Sequence, residues 1–257
     1  MMSQSAPDAI AVHGLSAGYP GVLALEQVDL TVTPGRLCAL VGANGSGKST
    51  LFAALLGLRA PAAGRVRLFG RSPQAARRRN LVSYVPQHDQ VDHSFPVTVE
   101  QTVMMGRYGH MGFTRRPRTA DRERVGAALD QVGLGGLRTR TIGELSGGQR
   151  RRAFLARSIA QEAPLMLLDE PFAGVDRASE ELIVSVLHQL RDAGTTLLVS
   201  THHLEGIPEL AEEVVLLHRT VLASGPPEAV LTEERLARAF GTVLGLGPQL
   251  PGSEGQR

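Results

Sequence analysis

Between Gly42 and Thr50 the chain reads GANGSGKST, three glycines and three small hydroxylic residues around one lysine, directly after an apolar run. Residue types in this order can cradle a phosphate. Gly42, Gly45 and Gly47 admit the φ > 0 turns that aim successive backbone N–H groups at an anion, with Asn44 and Ser46 between them. A helix starting near Lys48 adds the positive end of its dipole to the same spot. Lys48 would bridge the β- and γ-phosphates as a mobile point charge, and the Ser49 hydroxyl, followed by Thr50, has the size and hardness to ligate Mg²⁺. Lys48 is the only lysine in the chain; every other basic residue is an arginine, whose planar guanidinium cannot thread such a loop as a compact ammonium can.

Two further stretches can act on a bound phosphate. Leu165 to Glu170, LMLLDE, sets two acids after four apolar residues, so a buried strand delivers both carboxylates at its tip. In that position Asp169 can hold a Mg²⁺ shell and Glu170 can accept a proton from an attacking water. Leu145 to Gln149, LSGGQ, opens a helix bearing Arg150, Arg151 and Arg152. Ser146 is a good N-cap, and Gly147 and Gly148 leave backbone N–H groups bare at a helix start, a second anion site.

The elements that must carry these residues follow from local pattern. Short β-like runs at Ile10 to Leu15, Leu23 to Val32 and Leu37 to Val41 are separated by turns at Tyr19-Pro20-Gly21 and Thr33-Pro34-Gly35, which predicts small antiparallel strands feeding one buried strand. A helix over Leu51 to Leu58 is stopped by Gly57 and Pro61, and strands follow at Arg65 to Phe69 and Leu81 to Val85. From about 88 to 159 the pattern becomes helical, with Val125, Ala128, Leu129 and Val132 on one face, and reads as an insertion. Strand and helix then alternate again: Leu165 to Leu168, a helix carrying Leu182 to Leu190, strands at Thr195 to Ser200, Val214 to Leu217 and Val221 to Ala223, and a last helix. The expected fold class is α/β, a P-loop NTPase (RecA-like) core with a mostly parallel sheet, an N-terminal antiparallel β subdomain and an inserted α-helical subdomain. Residues 1–240 are expected to form one domain, with 241–257, rich in Gly and Pro, a flexible tail.

Composition narrows the setting. The 257 residues carry a net charge of only +2, weak support for a nucleic-acid partner. The one cysteine, Cys38, sits in the apolar strand before the cradle and fits a buried, inert thiol in a reducing compartment. No window reaches the roughly 18 apolar residues of a membrane span, and MMSQSAPDAI lacks a signal core, so a soluble, cytosolic chain is expected, with any membrane role exercised through a partner.

A phosphate cradle alone fits kinases, GTPases, helicases and motors. With LSGGQ between the cradle and an apolar strand ending in DE, the sequence resembles the ATP-binding cassette (ABC) family over about Ile10 to Phe240. The resemblance implies ATP and Mg²⁺ as ligands. It implies that Tyr19 stacks on adenine, that Gln87 contacts Mg²⁺ and the attacking water, that Asp176 in PFAGVD is the D-loop aspartate, and that His202 reaches the γ-phosphate. Gly174-Val175 departs from the family's usual Ser/Ala-Leu before that aspartate, and His203 has no assigned role. Two cassettes of the family pair head to tail, so the resemblance implies a second copy of the chain whose Ser146, Gly147, Gly148 and Gln149 meet the γ-phosphate.

The absence of spans excludes a fused exporter, and one cassette with one cysteine is unlike translation-factor or DNA-repair relatives. What remains is an ATPase subunit at the cytoplasmic face of a bacterial-type membrane, working with an integral membrane permease and an extracytoplasmic substrate-binding protein. The VDHSFPVTV and MGRYG runs between Tyr84 and Leu129 resemble manganese, zinc and iron importers in particular, with iron-chelate or haem importers the alternative. His88, Asp89, Asp92 and His93 are read as a solvated or partner-facing loop, not a metal site. A nucleic-acid or ribosome-linked ATPase would rely on Arg77 to Arg79 and Arg115, Arg116 and Arg118, but no aromatics interleave them to stack bases. A small-molecule kinase would leave LSGGQ without a use.

Overall fold

The computed structural model of the chain describes residues 7–87 and 96–240. It opens with β1 (Ile10–Tyr19) and β2 (Val22–Val32), a hairpin whose ends meet at Tyr19↔Val22 across Pro20-Gly21, then β3 (Leu37–Val41) and α1 (Lys48–Leu55). Next come β4 (Ala63–Leu68), α2 (Pro73–Arg78) and β5 (Val82–Val85). The helical part holds α3 (Val99–Met104), α4 (Thr119–Gln131) and α5 (Gly147–Ala160). β6 (Leu165–Asp169), α6 (Arg177–Asp192), β7 (Thr196–Thr201), α7 (Ile207–Leu210), β8 (Glu213–His218), β9 (Thr220–Gly225), α8 (Pro227–Val230) and α9 (Glu233–Phe240) complete it.

The main sheet runs β5-β6-β7-β3-β8-β9, parallel except for the edge strand β9. Its inner strands read LCALV and LMLLD because both faces are covered, which removes any need for alternation. Leu37, Ala39 and Val41 of β3 join the core under the helical part, while Cys38 and Leu40, pointing the other way, join the core under the small sheet β2-β1-β4. α1 lies in that second core, where Leu51, Phe52 and Leu55 are fully or almost fully buried against Ile10, Leu15 and Leu25. Each such side chain removed from water contributes about 1.5–3 kcal/mol. Because β3, β6 and β7 are parallel, their C-terminal ends emerge on one edge of the sheet, with Asp169 and Leu40 both paired to Ser200 and Val41 paired to Thr201.

Boundaries moved where tertiary contacts overrule local signals. β1 continues past Leu15 to Tyr19, because Gly14 takes φ 56° and lets the strand absorb an irregularity without ending. The short helix α2 has no counterpart in the periodicity; Ser72 caps it, accepting from the Ala75 N–H, and Pro73 occupies its first turn. The expected loop containing His88, Asp89, Asp92 and His93 and the tail 241–257 lie outside the described residues.

The MGRYG run turns out to hold a buried charge. Arg107 donates from Nε to Asp121 Oδ1 at 3.1 Å, and from one terminal nitrogen to Ala160 O at 2.8 Å and Glu162 Oε2 at 2.6 Å. This arginine thereby ties the start of α4 to the end of α5. The backbone N–H of Arg118, and then Arg107 itself, hold the Asp121 carboxyl below the usual carboxylate range. Arg107→Ala leaves Asp121 buried without its cation and is expected to cost about 3–5 kcal/mol. Denaturant unfolding checks this, and an unchanged midpoint with an unchanged slope would count against the assignment.

Candidate active site

The glycine-rich loop leaves the end of β3 and enters α1 at Lys48. Gly47 stands there at φ 104°, and a Cβ on it would lie 2.5 Å from Leu25 Cδ2 and 2.9 Å from Ala24 O. At Gly42 a Cβ would lie 2.3 Å from Leu217 O, so both positions require glycine. The Lys48 ammonium folds back over the loop and donates to Gly42 O at 2.6 Å and Ala43 O at 3.3 Å. Burial pushes its pKa down, opposed by the carboxylates of Glu170 and Asp169. Ser46 is buried, and its Oγ has no hydrogen-bond partner among the described residues, as befits a donor that serves a ligand oxygen.

The parallel register sets the acids. Ser200, on β7 opposite Asp169, donates from Oγ to Asp169 Oδ1 at 2.6 Å and accepts the Glu170 N–H at 3.0 Å; its carbonyl accepts the same N–H at 3.2 Å. Tyr84 OH donates to the other Asp169 oxygen at 3.4 Å. Burial raises the Asp169 pKa against the Ser200 hydrogen bond, and burial together with the Asp169 charge pushes the Tyr84 phenol up to about 12. Glu170 then turns at φ 49°, a sparsely populated conformation for a side chain of its size. Its Oε2 lies 2.9 Å from His202 Nδ1 and its Oε1 3.7 Å from Lys48 Nζ. An ionised carboxylate only accepts, so a hydrogen bond to it from His202 uses the tautomer with its proton on Nδ1.

A cavity of about 360 Å³ joins the loop 43–50 to Tyr19, Gln87, Asp169 and Glu170. The main chain at Gln87 is clamped by Arg151 of α5, which donates to Pro86 O and Gln87 O, each at 2.7 Å. LSGGQ is elsewhere. Ser146 caps α5 reciprocally with Gln149: the hydroxyl accepts the Gln149 N–H at 3.2 Å and Gln149 Oε1 accepts the Ser146 N–H at 3.0 Å. Asp176 caps α6 from one side only, accepting the Ser179 N–H and hydroxyl at 2.9 Å each, and these bonds hold its carboxyl below the usual range. Ser146, Gln149 and Asp176 border a separate concavity of about 330 Å³, and a Cβ on Gly148 would lie 3.0 Å from Asp176 Oδ2. The structure therefore gathers the expected residues in two places: Tyr19, the loop, Gln87, Asp169, Glu170 and His202 in one, the LSGGQ residues and Asp176 in the other.

The profile of the ABC transporter family matches residues 25–173, spanning the glycine-rich loop, LSGGQ and both acids. The chain belongs to the ABC transporter family. It is 50% identical over 233 residues, 90% of each chain, to the manganese transport system ATP-binding protein of Synechocystis sp.. It is also 50% identical over 224 residues, 87% of this chain and 76% of the relative, to a chelated iron transport system membrane protein of Yersinia pestis. Among solved structures, a transporter described as metal-chelate type, in an inward-facing conformation, superposes with a TM-score of 0.80 at 30% identity, covering 90% of this chain and 88% of that one. This ABC ATPase binds and hydrolyses ATP, and its P-loop core with a mostly parallel sheet is that of its structural relatives.

Three side chains of this ABC ATPase site carry no motif in the sequence reading: Ser200, Tyr84 and Arg151. Ser200 left one signal, a hydroxyl at the end of the apolar run LLVS, where burial demands a partner. Ser200→Ala removes the bond to Asp169 and one of two bonds to the Glu170 N–H. Turnover of ATP is expected to fall about tenfold, the scale of one buried hydrogen bond, with nucleotide binding in the absence of Mg²⁺ unchanged. Steady-state hydrolysis beside an equilibrium titration reads both quantities.

Proposed function

We propose that this ABC ATPase energises import of a divalent metal ion, manganese, zinc or iron, through a separate integral membrane subunit at the cytoplasmic face of the membrane. The observation that carries the reading is the 50% identity to a manganese transport ATP-binding protein along nine-tenths of both chains. No described helix is long and apolar enough to cross a membrane. A permease and an extracytoplasmic substrate-binding protein complete the system. The naming of chelated iron in one relative keeps a metal chelate as the second form of cargo.

The division of the site into two concavities supports a head-to-tail pair of chains, each contributing its glycine-rich loop to one ATP and its LSGGQ to the other. Lys48, the loop N–H groups and Ser46 bind the phosphates, and Tyr19 carries the adenine. Ser49, Asp169 and Gln87 present the hard oxygen donors that suit Mg²⁺, which when bound would neutralise charge between the β- and γ-phosphates. Glu170 takes the proton of the attacking water, while His202 holds its carboxylate and faces the γ-phosphate position. Ser146, Gly147 and Gly148 of the second copy complete the charge stabilisation.

Purifying the tagged chain from detergent-solubilised native membranes tests the assignment. A polytopic membrane protein together with a metal-binding lipoprotein is the expected company. Ribosomes or nucleic acid in its place would reject transport.

A further inference from the structure

We infer that Arg59 is the positioning residue of the adenine platform: its guanidinium backs the Tyr19 ring and tunes how strongly that ring holds the base. The inference rests on the reading of Tyr19 as the adenine contact. Arg59 Cζ stands 4.0 Å from the centroid of the Tyr19 ring, and Arg59 donates to Gly18 O at 2.8 Å, the carbonyl directly before the tyrosine. One residue thus grips both the ring and the backbone that bears it.

Which face of the ring is covered follows from the cavity. Tyr19 lines the space above the glycine-rich loop and Arg59 does not, so the proposal puts the guanidinium on the face turned away from that space. The other face is then left for a flat ligand, in keeping with the exposure of the ring. Tyr19 is 58% exposed and ends a strand, a place where an unsupported ring would sample several rotamers. Arg59 removes that freedom in advance. The cation also draws π density toward itself, which lowers the repulsion felt by an electron-rich purine stacked on the opposite face.

The placement also links the two ends of the nucleotide. Lys48, the phosphate contact, begins α1, and Arg59 follows four residues beyond the end of that helix, its N–H bonded to Ala53 O. A single helix therefore sets the distance between the triphosphate anchor and the support of the base platform.

Equilibrium binding of two probes to the full chain tests this: ATP, and inorganic tripolyphosphate, which has no base. Arg59→Ala is expected to weaken ATP roughly 3- to 10-fold, the scale of one cation–π contact, and to leave tripolyphosphate binding unchanged. Arg59→Lys, which keeps a cation for the ring, recovers part of the loss. In a Tyr19→Ala background, itself weaker for ATP, Arg59→Ala has no further effect. Equal losses for both probes, or the same ATP loss with and without Tyr19, would overturn the inference. If Tyr19→Ala weakens ATP while Arg59→Ala does not, only the role of Arg59 falls. If Tyr19→Ala binds ATP at full strength, the adenine platform itself is wrong.

Discussion

Glu170→Gln is expected to bind ATP at close to wild-type strength and to turn it over roughly 10²–10⁴-fold more slowly, the usual scale for a general base. The geometry isolates the proposed proton transfer from the rest of the site. The carboxylate is buried, with His202 Nδ1 2.9 Å from one oxygen and Lys48 Nζ 3.7 Å from the other, and the backbone N–H is held by Ser200. Glutamine has the same length and offers its carbonyl to His202, so packing and the φ 49° turn are retained. What it loses is the capacity to take a proton. In the proposed head-to-tail pair, a variant that binds but does not cleave should then persist as an ATP-bound dimer, visible by size-exclusion chromatography with Mg²⁺–ATP. Near-normal steady-state hydrolysis would remove Glu170 from the chemistry.

Lys48 carries the second large effect. Its ammonium lines the cavity and is held by Gly42 O at 2.6 Å, on the wall where the proposed triphosphate would lie. Each charge-assisted bond contributes about 1.5–3 kcal/mol, so two of them correspond to an affinity loss on the order of 10²–10⁴-fold in Lys48→Ala. Lys48→Arg is the sharper comparison. The side chain is only 8% exposed, and a planar fork with five donors does not fit where one compact ammonium uses two carbonyls. Arginine is therefore expected to restore less than a tenth of the lost affinity in an ATP titration. Full rescue by arginine would show that the site requires only charge and would undo the explanation for the single lysine.

Several parts of the fold and site were legible because their causes are local. The turns of 42–50 depend on which residues lack a Cβ, and the structure finds Gly42 and Gly47 pressed against Leu217 O and Leu25. Ser146 caps α5 because a hydroxyl three residues before an amide N–H reaches it in any helix start. The apolar runs of β3 and β6 declare a sheet covered on both faces. The helical face Val125, Ala128 and Leu129 follows from a 3.6-residue period, and all three are buried as that period predicts.

The sequence by itself determined the glycine-rich loop, the acids at a strand tip, the capped LSGGQ helix and the alternation of strand and helix, since each is encoded within a few consecutive residues. Only the tertiary structure decided that Ser200 grips Asp169 from 31 residues away, that His202 meets Glu170, that Arg107 is buried against Asp121 and Ala160, and that Arg59 lies over Tyr19. It also decided that LSGGQ faces a concavity apart from the loop whose ligand it is proposed to complete in a second copy. These pairings arise from parallel register and from which faces pack together. Both are set by the whole core at once, and no local period or spacing records them.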